Sequence, residues 1–447
     1  MSTSYEKLID LIDGQWWGIP KAECEALQIE AANDYFQDRM PQVAMLRRRA
    51  EDTGVTGVRR FEDIVPLLFS HTTYKSYPMS FVTKGQWPRM TQWLQTLSAR
   101  PLGDIDHAGI GNIDDWVERL QAAGNTLIVT SGTSGKCSFL NHSPADMAFL
   151  DRACRKVTGW PTPIEPDNSR RFYCIGPSKG PQKGTLHQNI YTRLFARPDA
   201  IRFLSDDPLL PSGIMRAGAL RRAMADGTAT PEDIAAFEAE ATARAAAMDL
   251  AMNDLIDDVL EHRAEPMFIG GMWAQIYKIV EIGRARGIPD GTFSQKTQMA
   301  SGGGRKSNDI PEDFLEQIFK FFGPVGCTRS YGMSELATAT MACEHGRYHR
   351  PPWLIVLLLD EAGEVLVNPP SGIAEGRAAF LDMSFSGRWG GIITGDKISM
   401  NFDPVCPCGR PGPVVLDGIS RFINLGGDDK LGCAGTFDQY MRGMIGA

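Results

Sequence analysis

No run in the 447 residues approaches 18 apolar side chains, so no membrane-spanning helix is expected. Basic charge is not in excess: Lys and Arg number 46 against 54 Asp and Glu, a net charge of −8. That balance gives no broad cationic face for nucleic acid. Cysteines are few and odd in number, nine in all and scattered. They argue against a disulfide framework and for a reducing, cytoplasmic setting. Residues 1–7 lack a charged stretch followed by an apolar one, so no secretory signal is expected. There is no internal repeat, and the only compositional bias is the Ala-rich segment 235–251. What remains, 43% hydrophobic and 22% charged residues, suits a globular chain long enough for two or three folding units.

The most informative segment is Thr130-Ser131-Gly132-Thr133-Ser134-Gly135-Lys136, which follows the β-branched run Thr126-Leu127-Ile128-Val129. A buried strand that delivers a Gly/Ser/Thr loop to a sheet edge is the expectation. Backbone N–H groups, hydroxyls and one lysine suit a polyanion such as a phosphate chain. The Walker spacing is absent. Further motifs follow in order: Ala300-Ser301-Gly302-Gly303-Gly304-Arg305-Lys306, then Ser330-Tyr331-Gly332-Met333-Ser334-Glu335, then Thr394-Gly395-Asp396.

Periodicity gives the frame. Residues 22–40 read as an amphipathic helix that Pro41 ends, with 43–50 continuing as a second helical stretch and Pro66 as another break. From Thr126 strand-like runs (171–176 and 266–270) alternate with helix-like runs, an α/β pattern with a largely parallel sheet. The helix 231–262 should be capped by Thr230, with Pro231 in its first turn. The wholly apolar run 353–359 reads as a central strand, followed by a hairpin turn at 360–364. A smaller β-rich part is expected from Cys343 onward.

The ordered motifs resemble those of the adenylate-forming superfamily, which holds acyl-CoA synthetases, adenylation domains and luciferase-like enzymes. The N-terminal pattern and "FEDIVPLLFSHTTYKSYP" are similar to the phenylacetate-CoA ligase branch. The triple glycine before a lysine, and "CGRPGP" followed by Lys430-Leu431-Gly432-Cys433-Ala434, are similar to the acyl-protein synthetases of bacterial luminescence. The resemblance implies the large N-terminal domain of such enzymes, with parallel-rich sheets and a small β-rich subdomain. Its parts would be a helical region 1–120, an α/β core 121–342, a β-rich subdomain 343–417 with the ribose site, and a C-terminal segment 418–447. The mobile C-terminal domain of the relatives is expected to be missing or vestigial, and with it the lysine it supplies.

The same resemblance implies roles. Thr130, Ser131, Gly132, Thr133, Ser134, Gly135 and Lys136 would hold the ATP triphosphate. Gly302, Gly303 and Gly304 would line the base, with Tyr331 stacked near it and Gly332, Met333 and Ser334 beside it. Asp396 would accept from the ribose hydroxyls, and Glu335 would bind Mg²⁺. Lys306 is the candidate cation for the phosphoryl transition state, with Lys136 and Lys430 as rivals. Cys433 would take the acyl group as a thioester, because a thiolate suits an acyl-adenylate. The acceptor beyond it would be a reductase or carrier protein; coenzyme A, or an amine in an amide or N–N ligation, are alternatives.

Three cysteines and a histidine (Cys343, His349, Cys406 and Cys408) have the chemistry of a closed structural zinc site, a pairing also seen in phenylacetate-CoA ligase-like proteins. The carboxylic acid would meet Gly270, Gly271 and Trp273 at the end of a strand, with His142 or His187 as polarising groups. An aromatic-lined pocket would take an aryl acid and a Met-lined one an alkyl chain.

Overall fold

The structure, a computed structural model, describes residues 2–130, 136–302 and 310–422. Backbone contacts divide the chain into two compact units. One holds residues 1–129, 138–153 and 332–447, the other 130–137 and 154–331.

The first unit opens with helices α1 (Ser4–Asp10), α2 (Lys21–Arg39) and α3 (Ala44–Thr53). The Pro41 break is real: α2 stops at Arg39 and the chain restarts at Ala44. Pro66 sits inside a short 3₁₀ turn, Val65–Leu67, ahead of the two-residue strand β1 (Phe69–Ser70). Helices α4 (Met79–Thr83), α5 (Trp87–Leu97) and α6 (Ile113–Ala122) follow. The Asn112 side chain accepts from the N–H groups of Asp114 and Asp115 and so sets the start of α6. The expected strand is β2 (Thr126–Val129), but it does not enter the large sheet. It pairs antiparallel with β3 (Phe139–His142) as a two-stranded ribbon. Helix α7 (Pro144–Val157) comes next.

The second unit is built on β4 (Arg170–Pro177), α8 (Lys183–Phe195), β5 (Ala196–Ser205), α9 (Pro211–Ala225) and α10 (Pro231–Glu261). It continues with β6 (Met267–Met272), α11 (Trp273–Ala285), β7 (Gln298–Gly302), α12 (Phe314–Phe322) and β8 (Gly326–Tyr331). Its strands lie in the order β5-β4-β6-β7-β8, and every pairing among them is parallel. Both faces are covered, as a parallel sheet requires. On one face Tyr173, Ile269 and Met299 pack with Ile256, Ile276 and Phe321 of the helices. On the other, Phe195 and Tyr191 of α8 lie on Phe268, with ring centroids 5.5 and 5.1 Å apart. A fully buried side chain such as Phe195 or Phe268 contributes about 1.5–3 kcal/mol relative to exposure. Thr230 caps α10 as its sequence indicated, its Oγ1 accepting from Asp233 N–H at 3.1 Å.

The chain then returns to the first unit with β9 (Thr340–Ala342), β10 (Tyr348–His349) and β11 (Leu354–Leu359). Strands β12 (Ile373–Asp382), β13 (Gly391–Asn401), β14 (Val414–Val415) and β15 (Ser420–Arg421) complete it. Here pairing is antiparallel in the order β11-β12-β13-β14-β10-β9, while β1 joins β13 in parallel and β15 joins it antiparallel. The apolar run 353–359 was expected to be central, and this is corrected: β11 is the terminal strand of the order. Periodicity reports burial, not position. β11 is buried on both faces, and its outer edge is closed by the chain doubling back, with Val367 N–H bonded to the Leu358 carbonyl at 2.7 Å. The expected turn is present, closed by Asp360 N–H to the Val365 carbonyl at 2.9 Å.

Candidate functional site

In the second unit the order β5-β4-β6-β7-β8 has a switch point between β4 and β6, where the chain leaves one side of the sheet for the other. Open parallel sheets bind ligands in the crevice outside the carboxyl ends of such strands. At this point Cys174 of β4 faces Gly270 of β6 in register, and Gly270 faces Ala300 of β7. Two residues on, Met272, Gly302 and Ser330 stand side by side at the carboxyl ends of β6, β7 and β8. The register therefore brings together three segments far apart in sequence: Gly270 and Gly271 with the start of α11, the glycine motif from Gly302, and Tyr331.

Gly270 has a packing reason to be glycine. A Cβ there would lie 2.2 Å from the Gln188 side-chain amide, which α8 lays over the bare backbone. Gln188 Oε1 and the neighbouring His187 Nε2 are sealed from solvent and find no hydrogen-bond partner in the protein. Burial, reinforced by Lys183, pushes the His187 pKa down to about 3, so the imidazole is neutral. Trp273 is 6% exposed and packs on Phe314 within the core. It buttresses the helix start rather than presenting its ring. Met272, one residue earlier, is 51% exposed at the strand end.

In the first unit, Glu335 is half-buried in the segment between Gly332 and Ala339. Two buried side chains, one at the end of β12 and one in the β12–β13 connection, fasten that segment. The Asp382 carboxylate accepts from Ala337 N–H at 2.8 Å and from Ser384 N–H at 3.1 Å. Burial raises the Asp382 pKa. The Arg388 guanidinium donates to the Glu335 backbone carbonyl and, at 3.1 Å, to the Tyr74 hydroxyl. It lies over the Phe385 ring, 3.6 Å from its centroid. Neither Arg388 nor Asp382 was singled out from sequence. Gly-Arg-Trp-Gly-Gly carries no motif, and only the pairing of β12 with β13 brings it under residue 335. Asp396 lies on β13, where Thr394 Oγ1 accepts its N–H at 3.0 Å. Its carboxylate is 3.3 Å from Arg421 Nε.

Thr130 and Lys136 flank the phosphate-binding candidate loop and are partly buried. Ser131, Gly132, Thr133, Ser134, Gly135, Gly303, Gly304, Lys306, Lys430 and Cys433 lie outside the described residues. Tyr331 ends β8 and is buried; Gly332, Met333 and Ser334 are exposed to half-buried beyond it. His142 is a core residue of β3. Its Nδ1 is 3.0 Å from the Leu140 carbonyl and its ring meets Phe385 edge-on.

The structure also assembles Cys343, His349, Cys406 and Cys408, whose ligand atoms all lie within 4.8 Å of one another. Two matching turns do this. In Cys343–Arg347 the Cys343 N–H bonds to the Arg347 carbonyl and Gly346 N–H to the Cys343 carbonyl. In Cys406–Arg410 the same two bonds recur, with Gly409 at φ 81° as Gly346 is at 68°. Both glycines take the left-handed conformation that lets a chain wrap a small centre. His349 Nε2 is 3.3 Å from Cys408 Sγ, and Arg410 ties the turns together through Glu344 at 2.9 Å. Thiolates about 2.3 Å from a tetrahedral ion stand roughly 3.8 Å apart, which this spacing accommodates. Burial pushes the Cys406 thiol up to about 12. At Cys408 burial is outweighed by hydrogen bonds from Arg410, which lower its pKa.

No protein-family model and no curated protein matches the chain. Solved structures to which it is similar include an ATP-bound chimera, a malonyl-CoA ligase and an adenylation domain. An ATP-bound RpMatB-BxBclM chimera is 15% identical over 64% of this chain and 47% of its own, with a TM-score of 0.36. A malonyl-CoA ligase bound to methylmalonyl-CoA and AMP is 14% identical over 67% of this chain and 53% of its own, with a TM-score of 0.37. An adenylation domain of a keto acid-selecting NRPS module, bound to a keto acyl adenylate, is 13% identical over 65% and 50%, with a TM-score of 0.35. The chain thus spans about half the length of these structures.

Proposed function

We propose that the protein activates a carboxylic acid with ATP, forming an acyl-adenylate and releasing pyrophosphate, and then passes the acyl group to a thiol. The observation that carries this reading is the alignment of Met272, Gly302 and Ser330 at the carboxyl edge of one parallel sheet. It supports the reading because open α/β sheets bind ligands outside the carboxyl ends of their strands.

In the proposed reaction a carboxylate oxygen attacks the α-phosphorus of ATP, and the α–β bridging bond breaks with pyrophosphate as leaving group. Both reactants are anions, so the residues' work is to hold them in line and offset charge. Residues 130–136 hold the triphosphate, with Lys136 and Lys306 as its cations. Asp396 accepts from the ribose diol. Glu335 is the carboxylate for Mg²⁺, which as a hard ion takes carboxylate and phosphate oxygens. Its carbonyl is held by Arg388, so its side chain starts from a fixed point. The switch-point crevice by Gly270 receives the acid. Cys433 is the proposed acyl acceptor on the way to a carrier or reductase, with coenzyme A as the alternative acceptor. Cys343, His349, Cys406 and Cys408 form a closed donor set that suits structural zinc, with no open position for chemistry.

Pyrophosphate exchange into ATP with a panel of alkyl and aryl acids tests the reading. Wild-type protein should show acid-dependent exchange, and Glu335→Gln should reduce it by at least 100-fold, on the order of 3 kcal/mol, with unchanged circular dichroism. Exchange at the wild-type rate in that variant would remove Glu335 from the site.

A further inference from the structure

Helix α10 is 31 residues long, yet only its second half belongs to the core. There Leu255, Ile256, Val259 and Leu260 pack among the side chains on one face of the parallel sheet. Arg202 of β5 holds Asp254 at 2.6 Å and Asp258 at 3.2 Å. Ahead of them every residue from 241 to 250 is exposed, although seven of those ten are Ala, Met or Leu. A helix solvated on all sides ordinarily carries polar groups all round. Five of the eleven large hydrophobic side chains exposed among the described residues fall between 209 and 250: Leu209, Leu210, Met224, Met248 and Leu250. Leu250, 73% exposed, is the most open of the eleven. Apolar exposure gathered in one place marks an interaction surface rather than chance.

Helices α9 and α10 form a hairpin. Only residues 226–230 join them, with Gly227 at φ 67° and Thr228 N–H bonded to the Ala223 carbonyl at 2.8 Å. So short a connection makes the two helices antiparallel neighbours. Across them Arg216 donates to both carboxylate oxygens of Glu240, at 2.9 and 3.0 Å.

The two arms carry opposite charge. Helix α9 has Arg216, Arg221 and Arg222 and no acid. Residues 231–250 of α10 have Glu232, Asp233, Glu238, Glu240 and Asp249 against Arg244 alone. All nine of these residues are exposed. A foreign surface of either sign would attract one arm and repel the other. A second copy, turned about a two-fold axis that runs along the arms, sets its acidic arm on the basic one and its basic arm on the acidic one. The dimensions suit the same occupant. Twenty residues of helix span about 30 Å and two helices abreast about 20 Å, an outline of roughly 600 Å². That is near the ~800 Å² per partner of a standard protein–protein contact.

We propose that the α9–α10 hairpin is a dimerisation arm whose partner is a second copy of this chain, each α9 lying antiparallel on the other copy's α10. Four helices of alternating charge then enclose Met248 and Leu250. The inference does not depend on the adenylation reading, because no residue of the hairpin is assigned there to ATP, the acid or the acyl acceptor.

Sedimentation velocity of the full chain from about 1 to 100 µM, in about 0.1 and 1 M salt, reads the association. A particle of twice the 49.1 kDa chain mass is expected, with weaker association in the higher salt. Leu250→Arg should raise the dissociation constant by about 10-fold or more with unchanged circular dichroism, since the side chain is exposed in the single chain. Arg221→Glu with Arg222→Glu, and separately Glu238→Arg with Asp249→Arg, should each weaken self-association by removing the attraction between arms. Mixed one to one, these two variants restore it: the unchanged arms meet each other, and so do the reversed ones. Native mass spectrometry of the mixture should show the mixed dimer above both homodimers. A chain that stays monomeric at every concentration would overturn the proposal. So would a dimer that neither Leu250→Arg nor the charge variants weaken, or a mixed dimer no more abundant than chance.

Discussion

Arg388 donates a hydrogen bond from its guanidinium to the backbone carbonyl of Glu335, although 53 positions separate them in sequence. Arg388 is only 1% exposed and its charge is enclosed by Tyr74, Phe385 and the Asp382 field. A buried guanidinium at that place fixes a main-chain position, and through it the carboxylate that is proposed to face Mg²⁺. Removing the Tyr74 hydroxyl is the mild probe of this contact. Tyr74→Phe should fold normally and raise the Mg²⁺ concentration needed for half-maximal exchange by several-fold. Arg388→Met should do the same more strongly and lower stability by about 1–3 kcal/mol, because the Glu335 carbonyl and the buried Tyr74 hydroxyl lose their donor. Chemical denaturation and a Mg²⁺ titration separate the two effects; an unaltered Mg²⁺ profile in Tyr74→Phe would confine the contact to folding.

Asp396 and Arg421 pair across β13 and β15. If Asp396 is the ribose acceptor, Asp396→Ala should raise the KM for ATP by about 10-fold or more, since a hydrogen bond to a charged group is worth roughly 1.5–3 kcal/mol. Arg421→Ala should raise it far less, because the arginine is 72% exposed and water screens the pair. Steady-state exchange against ATP concentration checks both, and equal KM values for Asp396→Ala and wild type would exclude the role.

Purified protein should carry close to one equivalent of zinc by elemental analysis. Cys408→Ser should lose it and melt at a lower temperature, while exchange measured well below the new midpoint stays within about 3-fold of wild type, as a structural centre requires. A metal-free wild-type protein of unaltered stability would assign the four side chains to packing alone.

Incubation with Mg-ATP and a substrate acid, without coenzyme A, should add one acyl mass that hydroxylamine removes. Cys433→Ser should abolish the adduct and spare exchange. ATP turnover without any adduct, followed by acyl-CoA formation once coenzyme A is supplied, would make coenzyme A the acceptor.

His187 gives a pH dependence. Its folded-state pKa is about 3 against 6.5 ordinarily, so the unfolded chain takes a proton that the folded one refuses. The stability tied to the neutral imidazole is present in full above pH 6.5 and is lost as the pH falls toward 3. Because part of the residue reaches solvent, the loss between pH 7.5 and 5 should be about 1–2 kcal/mol. Urea midpoints at the two pH values should converge for His187→Leu and separate for wild type.

Much of the frame was legible in the sequence because its signals are local. Pro41, Thr230 with Pro231, and the β-branched run at 126–129 each act within a turn of themselves, and the structure has a helix end, a helix start and a strand at those places. The C-x-x-G-R turns were half visible: the cysteines could be seen, but the repeat of their hydrogen bonds could not.

Sequence alone determined the residue types and spacings: a Gly/Ser/Thr loop after a strand, glycines at strand ends, and three cysteines and a histidine able to hold a metal. Only the tertiary structure decided which of them meet. Register across parallel strands joins residues 272, 302 and 330, and the antiparallel pairing of β12 with β13 carries Arg388 to Glu335. It also made the most apolar strand a terminal one and turned Trp273 into core. The reason is physical. Propensity and capping act over a few residues, whereas burial and strand pairing act between segments whose separation along the chain leaves no trace in the pattern of either.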